Sequence, residues 1–180
     1  MISKKLLSDI EKMTEEIEKI YQSPLVSRYA SKKMLNLFSS FHKTVLWRKL
    51  WISLAKGQKK LGLSITEEQI KELEENLEII DFEKIQKYEK QFKHDVMAHI
   101  HAYGDLCPTA KSIIHLGATS CYVTDNADLL QMQEGLQLCM QKLVPSIRQL
   151  TNFATQNAHI PCLAFTHFQV AQPTTIGKRS

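Results

Sequence analysis

Apolar residues recur every three or four positions along most of the 180-residue chain, with charged and polar residues between them. This is the spacing of amphipathic helices, whose apolar stripe packs against a core. It predicts six helices and the start of a seventh, over residues 3–20, 31–60, 66–77, 81–92, 96–106 and 124–157 and from about residue 173. No segment alternates with a period of two for long enough to require a sheet. The predicted fold class is therefore all-α.

Side chains that can cap a helix mark several of these boundaries. Thr66 followed by Gln69 has the capping-box pattern, in which each side chain bonds a backbone amide of the other residue. Pro145 lies inside the longest helical pattern, where it bends the helix or divides it. Other candidate caps, chosen because each precedes a periodic segment, are Ser31, Asp81, Asp95 and the pair Thr124 and Asp125.

Composition narrows the functional classes. The chain has 23 Lys and Arg against 19 Asp and Glu, and both signs alternate on the predicted helix faces. Such mixing is typical of solvated surfaces and not of a nucleic-acid-binding face. No apolar run approaches the roughly 18 residues of a membrane span, and no signal-peptide core follows the first residues. We therefore expect a cytoplasmic protein with no membrane or nucleic-acid partner.

Polar groups concentrate in three places where the helical pattern breaks, and loops between rigid helices are where sites are built. These places are residues 27–29, His94 and Asp95 together with residues 115–120, and residues 166–169. Each segment also has an ordinary structural explanation.

Two of the segments suit a particular chemistry. Residues 117–120 supply backbone amides and two hydroxyls ahead of a predicted helix, a setting that suits anions but also makes ordinary turns. His167 lies in a non-helical link, where an imidazole can serve as a general acid or base. For Arg28 and Tyr29 the structural alternatives are a surface cation and a helix-end aromatic.

The histidines do not predict a metal site. On a helix His94 and His99 are about 140° apart, and no His-Glu-x-x-His arrangement occurs. For His99 and His101 we expect hydrogen-bonded histidines in the interior or at an interface. The four cysteines form no Cys-x-x-Cys pair and are interpreted as reduced packing residues.

Taken together, four segments resemble the adenylosuccinate lyases in order and spacing. They are SPLVSRYAS at 23–31, HDVMAH at 94–99, IHLGATSCYVTDN at 114–126 and THFQ at 166–169. The Gly-x-Thr-Ser element alone is shared across the wider fumarase and aspartase superfamily. The resemblance covers nearly the whole chain from about residue 21.

The resemblance implies a fold and a reaction. It implies a helical amino-terminal domain over residues 1–110 and the beginning of a central helical-bundle domain over residues 111–180, which forms the core of a homotetramer. The family splits fumarate from adenylosuccinate, giving AMP, and from SAICAR, giving AICAR, in purine biosynthesis. It uses no metal or organic cofactor.

The resemblance also assigns roles to residues of this chain. His167 matches the general acid that protonates the departing nitrogen. The matching substrate-binding positions are Arg28 and Tyr29 for the nucleotide, Thr119 and Ser120 for the succinyl portion, and Lys93, His94 and Asp95.

Two departures from the family pattern bear on this chain. Lys93 stands where the most similar branch usually has arginine, so a planar two-pronged donor is lost. The family's general base is a serine far beyond Ser180, and its sites combine three subunits. The last helix stops with no apolar face completed, which indicates a cut. The 180-residue chain alone is therefore expected to be inactive.

Two other functions stay open at this stage. One is another lyase of the superfamily, acting on argininosuccinate or a dicarboxylic acid. The other is a non-catalytic helical association module, because the apolar face of residues 124–157 must be buried against something.

Overall fold

The computed structural model describes residues 20–180, so the helix predicted over residues 3–20 lies outside the described part. A π-helical turn at Leu25–Tyr29 comes first. The helices and strands that follow are α1 (Lys32–Leu37), α2 (Ser40–Lys60), α3 (Glu67–Glu75), α4 (Phe82–Phe92), α5 (Asp95–Leu106), α6 (Ser120–Gln156), β1 (Pro161–Thr166), β2 (Gln169–Thr175) and α7 (Ile176–Arg179). The predicted helical fold class is confirmed, and the two-stranded hairpin is the exception to all-α.

The predicted capping box at Thr66 and the predicted caps at Ser31 and Asp81 are confirmed. Thr66 Oγ1 accepts the amide of Gln69 at 3.2 Å, and Gln69 Oε1 accepts the amide of Thr66 at 3.0 Å. Asp81 and Ser31 likewise accept the amide three residues ahead. These boundaries were predictable because each cap is a local interaction within four residues.

The helix predicted over residues 31–60 is wrong as a single element, because it breaks at Phe38 and Ser39. Ser39 has an extended backbone, and its Oγ accepts the amide of His42 at 3.1 Å, so a new helix begins there. The carbonyl of Leu37 at the end of α1 accepts a hydrogen bond from Gln131 Nε2 at 2.8 Å. A side chain of α6 therefore satisfies a backbone carbonyl that the end of α1 leaves without a helical partner.

The predicted start of the long helix at Thr124 and Asp125 is also wrong, since α6 begins at Ser120. Thr124 donates its hydroxyl to the carbonyl of Ser120 at 3.2 Å, as a residue inside a helix does. The helix continues through Pro145 without dividing and runs for 37 residues, about 55 Å.

A hairpin occupies the segment around His167 that was predicted as a non-helical link. The start of the last helix, predicted at about residue 173, is also wrong, because residues 173–175 belong to β2 and α7 begins at Ile176. Strands β1 and β2 pair antiparallel, with an irregularity between Ala164 and Phe165. The turn is His167 and Phe168, which both have positive φ, at 50° and 62°. Two such residues suit the right-handed twist of a tight hairpin.

A main core joins α2, α3, α5 and the start of α6, and a smaller cluster of Ile85, Ala98 and Ala102 joins α4 to α5. Trp51 on α2 is 1% exposed and packs among buried residues of α3, α5 and α6, including Leu73, Tyr103 and Val123. The Val123 contribution places the start of α6 in the same core as the earlier helices. In residues 20–180, no helix combines the length and the apolarity that crossing a membrane requires.

Candidate functional site

The first turns of α5 and α6 meet through His94 and Ser120. His94 is the N-cap of α5, where its Nδ1 accepts the amide of Met97 at 3.3 Å. Its Nε2 lies 3.4 Å from Ser120 Oγ. The prediction that Asp95 is the cap is wrong: Asp95 is the first helical residue, and its Oδ1 accepts the amide of Val96 at 2.7 Å.

The amino terminus of α6 is open to a ligand. Thr119 occupies the N-cap position, but its side chain makes no capping hydrogen bond. The first amides of a helix have no partner within the helix. Together with the Thr119 and Ser120 hydroxyls, these amides form the kind of donor group that binds carboxylates and phosphates.

His115 joins this group and was not singled out as a site residue from the sequence. Its backbone has φ 64°, and its Nδ1 accepts a hydrogen bond from Trp51 Nε1 at 2.9 Å. Burial lowers the pKa of His115, and the nearby His94 lowers that pKa further. The sequence signal for His115 was its place two residues before the Gly-Ala-Thr-Ser segment. Its positive φ and its contact with Trp51, 64 residues away, depend on the folded structure.

Both imidazoles use Nδ1 as an acceptor, His94 toward Met97 and His115 toward Trp51. A neutral imidazole that accepts at one nitrogen carries its proton on the other. In each ring Nε2 is then the nitrogen left for a further partner, which for His94 is Ser120 Oγ. The site is rich in donors, which favours an anionic ligand.

A cleft of about 690 Å³ opens beside His94, Lys93 and Asp95 and is otherwise lined by Gln86, Glu89 and Lys90. Lys93 ends α4 in a left-handed conformation, φ 54°, and its amide donates to the carbonyl of Glu89 at 2.8 Å. The turn thus brings Lys93, His94 and Asp95 to one wall of the cleft. Among the residues from 20 onward, no three His, Cys, Asp or Glu side chains form a group that could hold a metal ion.

Arg28 and Tyr29 lie elsewhere in the same chain. The Arg28 guanidinium is 5.6 Å from the Tyr29 ring centre, and Tyr29 lines a small cavity with Leu138 and Lys142 of α6. These α6 residues are about 27 and 33 Å along the helix from Ser120. The structure does not bring Arg28 and Tyr29 to the His94 cleft within one chain.

His167 is also distant, at the tip of the hairpin beyond the carboxyl end of α6. Even a hairpin folded back along the 55 Å helix would leave His167 at least about 20 Å from Ser120. Its neighbour Phe168 is fully exposed. One chain therefore groups Lys93, His94, Asp95, Thr119 and Ser120, and leaves His167 apart from them.

Comparison with solved structures defines the class of fold. The chain superposes on a fumarate lyase from Mesorhizobium sp. BNC1 with a TM-score of 0.75 at 23% identity, covering 89% of this chain and 37% of that one. It superposes on the 3-carboxy-cis,cis-muconate lactonizing enzyme of Pseudomonas putida with a TM-score of 0.76 at 22% identity, covering 86% and 36%. The fold is that of the fumarase and aspartase superfamily.

Sequence comparison identifies the family within that class. The chain is 48% identical to the adenylosuccinate lyase of Saccharomyces cerevisiae over 163 residues, which are 89% of this chain and 34% of that protein. It is 47% identical to that of Schistosoma mansoni over 159 residues, 88% of this chain and 33% of that protein. The chain belongs to the adenylosuccinate lyase family.

The matches fall in the amino-terminal part of these relatives, and the chain spans about one third of their length. No protein-family model matches the chain.

Proposed function

We propose that this chain supplies part of the active site of a lyase that releases fumarate from adenylosuccinate and from SAICAR. The observation that carries the proposal is the 3.4 Å contact between His94 and Ser120 at the open amino terminus of α6. It joins two predicted substrate-binding positions from separate segments of the sequence in one donor-rich group. The family membership supports the same reaction.

The donor group suits the negative charge of the substrate. In the elimination a proton leaves the carbon beside a carboxylate, so negative charge builds there and needs fixed donors nearby. In the proposal Thr119 and Ser120 hold the succinyl carboxylates, while Lys93, His94 and Asp95 contact the substrate from the cleft wall. Arg28 and Tyr29 bind the nucleotide.

His167 is proposed as the general acid that protonates the departing nitrogen. Its distance from Ser120 requires that the two residues of one site come from different copies of the chain. The turn holds the exposed imidazole at the hairpin tip, the position from which it can enter a neighbouring copy.

An exposed apolar stripe on α6 supports docking of a second copy. Exposed apolar residues recur along α6 at the three-to-four-residue spacing of a helical-bundle seam, each 51–67% exposed: Leu129, Met132, Leu136, Met140, Leu143, Ile147 and Leu150. Burying this stripe between copies would assemble the sites. We propose that the copies form the homotetramer of the family.

We also propose that the chain divides into two domains between residues 110 and 111, and that the protein is cytoplasmic.

The exposed stripe equally favours the second candidate, a non-catalytic association module. The two functions differ in one measurable property, the release of fumarate. An association module oligomerises without turning over a succinyl nucleotide.

The test is fumarate release from adenylosuccinate by the native protein that contains this chain. His167→Ala is expected to slow turnover by about 10²- to 10⁴-fold, the usual contribution of a general acid. His159→Ala is the matched control, because His159 is an exposed histidine outside the proposed site in the segment that leads into the same hairpin. Undiminished turnover in His167→Ala would refute the assignment, and preference for argininosuccinate would favour the other lyase.

A further inference from the structure

Trp51 makes a contact that its role in the core does not require. Its Nε1 donates to His115 Nδ1 at 2.9 Å, with the two rings nearly perpendicular, at 84°. The indole is 1% exposed and stacks on Tyr103 at a centroid distance of 6.2 Å. The donor is therefore held in place by the surrounding core.

The backbone of His115 is held from the same helix face. Gln58 lies seven residues after Trp51 on α2, two turns along, and its Nε2 donates to the carbonyl of Leu116 at 2.7 Å. The carbonyl of His115 accepts the amide of Ala118 at 3.2 Å. Trp51 orients the His115 ring, while Gln58 holds the carbonyl of the next residue, Leu116.

The Trp51 hydrogen bond fixes where the imidazole proton resides. An indole N–H only donates, so Nδ1 of His115 must be the unprotonated nitrogen. A second proton on this ring would place two N–H groups against each other at 2.9 Å. With Trp51 in place, His115 is a neutral donor through Nε2–H.

We propose that Trp51 is a positioning residue that holds His115 as the neutral Nε2–H tautomer in the segment that leads into the amino terminus of α6. His115 then offers a hydrogen-bond donor, and no base, to an anionic group of the substrate. This inference rests on the proposed lyase function for its catalytic consequence, but the tautomer itself can be measured without any turnover.

The neighbouring Trp47 provides a matched control. Trp47 packs edge-on against Trp51 at 6.4 Å and is 4% exposed, and its Nε1 has no hydrogen-bond partner. Trp51→Phe and Trp47→Phe thus remove the same atoms from one core, but only Trp51→Phe removes the bond to His115.

The first measurement is the ¹⁵N spectrum of histidine-labelled native protein at neutral pH. The His115 signals are identified by their loss in His115→Gln. The expected result is a protonated Nε2 and an unprotonated Nδ1, unchanged in Trp47→Phe and lost in Trp51→Phe. A protonated Nδ1 in the unsubstituted protein overturns the proposal, and so does an unaltered tautomer in Trp51→Phe.

The second measurement is fumarate release. Trp51→Phe is expected to lower kcat/KM by roughly 10- to 100-fold, as loss of an orienting partner does, and to add a rate-lowering protonation on the acid side of the pH profile. Trp47→Phe should add none. The glutamine amide in His115→Gln donates a hydrogen bond without depending on a tautomer. Adding Trp51→Phe to His115→Gln should therefore cause no further loss of kcat/KM. If Trp51→Phe lowers kcat/KM as much in His115→Gln as in the unsubstituted protein, Trp51 does not act through His115.

The outcomes separate this inference from the proposed function. If the His115 tautomer is as expected but no fumarate is released, the lyase function is refuted and the effect of Trp51 on the tautomer is retained. Normal turnover with the wrong tautomer does the reverse. If Trp51→Phe fails to fold, the spectrum of the unsubstituted protein still decides the tautomer.

Discussion

Arg48 lies against Tyr103, with its guanidinium carbon 4.2 Å from the centre of the ring. Nη1 of the same side chain donates to three backbone carbonyls, those of Asn76, Leu77 and Ile79, at 2.7, 3.1 and 2.8 Å. The end of a helix leaves such carbonyls without partners. A cation that is 2% exposed therefore ties the end of α3 to the centre of α2.

Replacing this cation is expected to destabilise the protein strongly. Arg48→Met keeps the apolar stem but leaves buried carbonyls unsatisfied, so the free energy of unfolding should fall by about 3–5 kcal/mol. Urea denaturation measures the change. The matched control is Lys49→Ala, an exposed neighbour on the same helix, for which about 0.5 kcal/mol or less is expected. Equal stability of Arg48→Met and the unsubstituted protein would show that these carbonyls need no partner.

His99 should make stability depend on pH. It packs edge-on against Trp47 at 4.8 Å, and burial, with a smaller contribution from the Arg48 charge, lowers the pKa of His99 to about 4. An unfolded histidine has a pKa of about 6.5. Between these values the unfolded state binds a proton that the folded state does not, so stability falls as the pH drops from 6.5 toward 4.

The expected loss from His99 is on the order of 3 kcal/mol in the free energy of unfolding between pH 7 and pH 4. His99→Gln should remove this part of the pH dependence, as measured by urea denaturation at a series of pH values. An NMR titration of the His99 ring should have its midpoint near pH 4. The same slope in His99→Gln as in the unsubstituted protein would mean that burial does not keep this ring neutral.

Elements governed by local interactions were predictable from the sequence. The Thr66 and Asp81 caps and the ends of α4 and α5 follow from residues within one turn. The expectation of hydrogen-bonded histidines at positions 99 and 101 holds only for their packing. The His99 ring lies against Trp47 at 4.8 Å and the His101 ring stacks on Phe92 at 4.4 Å, while neither ring makes a hydrogen bond within residues 20–180.

Features that depend on distant contacts were not predictable from the pattern. The break after α1 involves Gln131, 94 residues from Leu37. The hairpin was not predicted because β1 has no alternation of polar and apolar residues. The two strands pair with each other and do not cover the core. For the site, motifs located His94 and Ser120, but the role of His115 became visible only through Trp51 on another helix.

The central claim is that His94 and His167 of one site belong to different copies of this chain. The direct test is to prepare native protein with His94→Ala and, separately, with His167→Ala, then to dissociate, mix and reassociate the two in equal amounts. Each variant alone should release almost no fumarate from adenylosuccinate. In the mixture about one quarter of the sites should receive both intact histidines, so about one quarter of the unsubstituted rate should return. A mixture as inactive as its components would contradict the shared site.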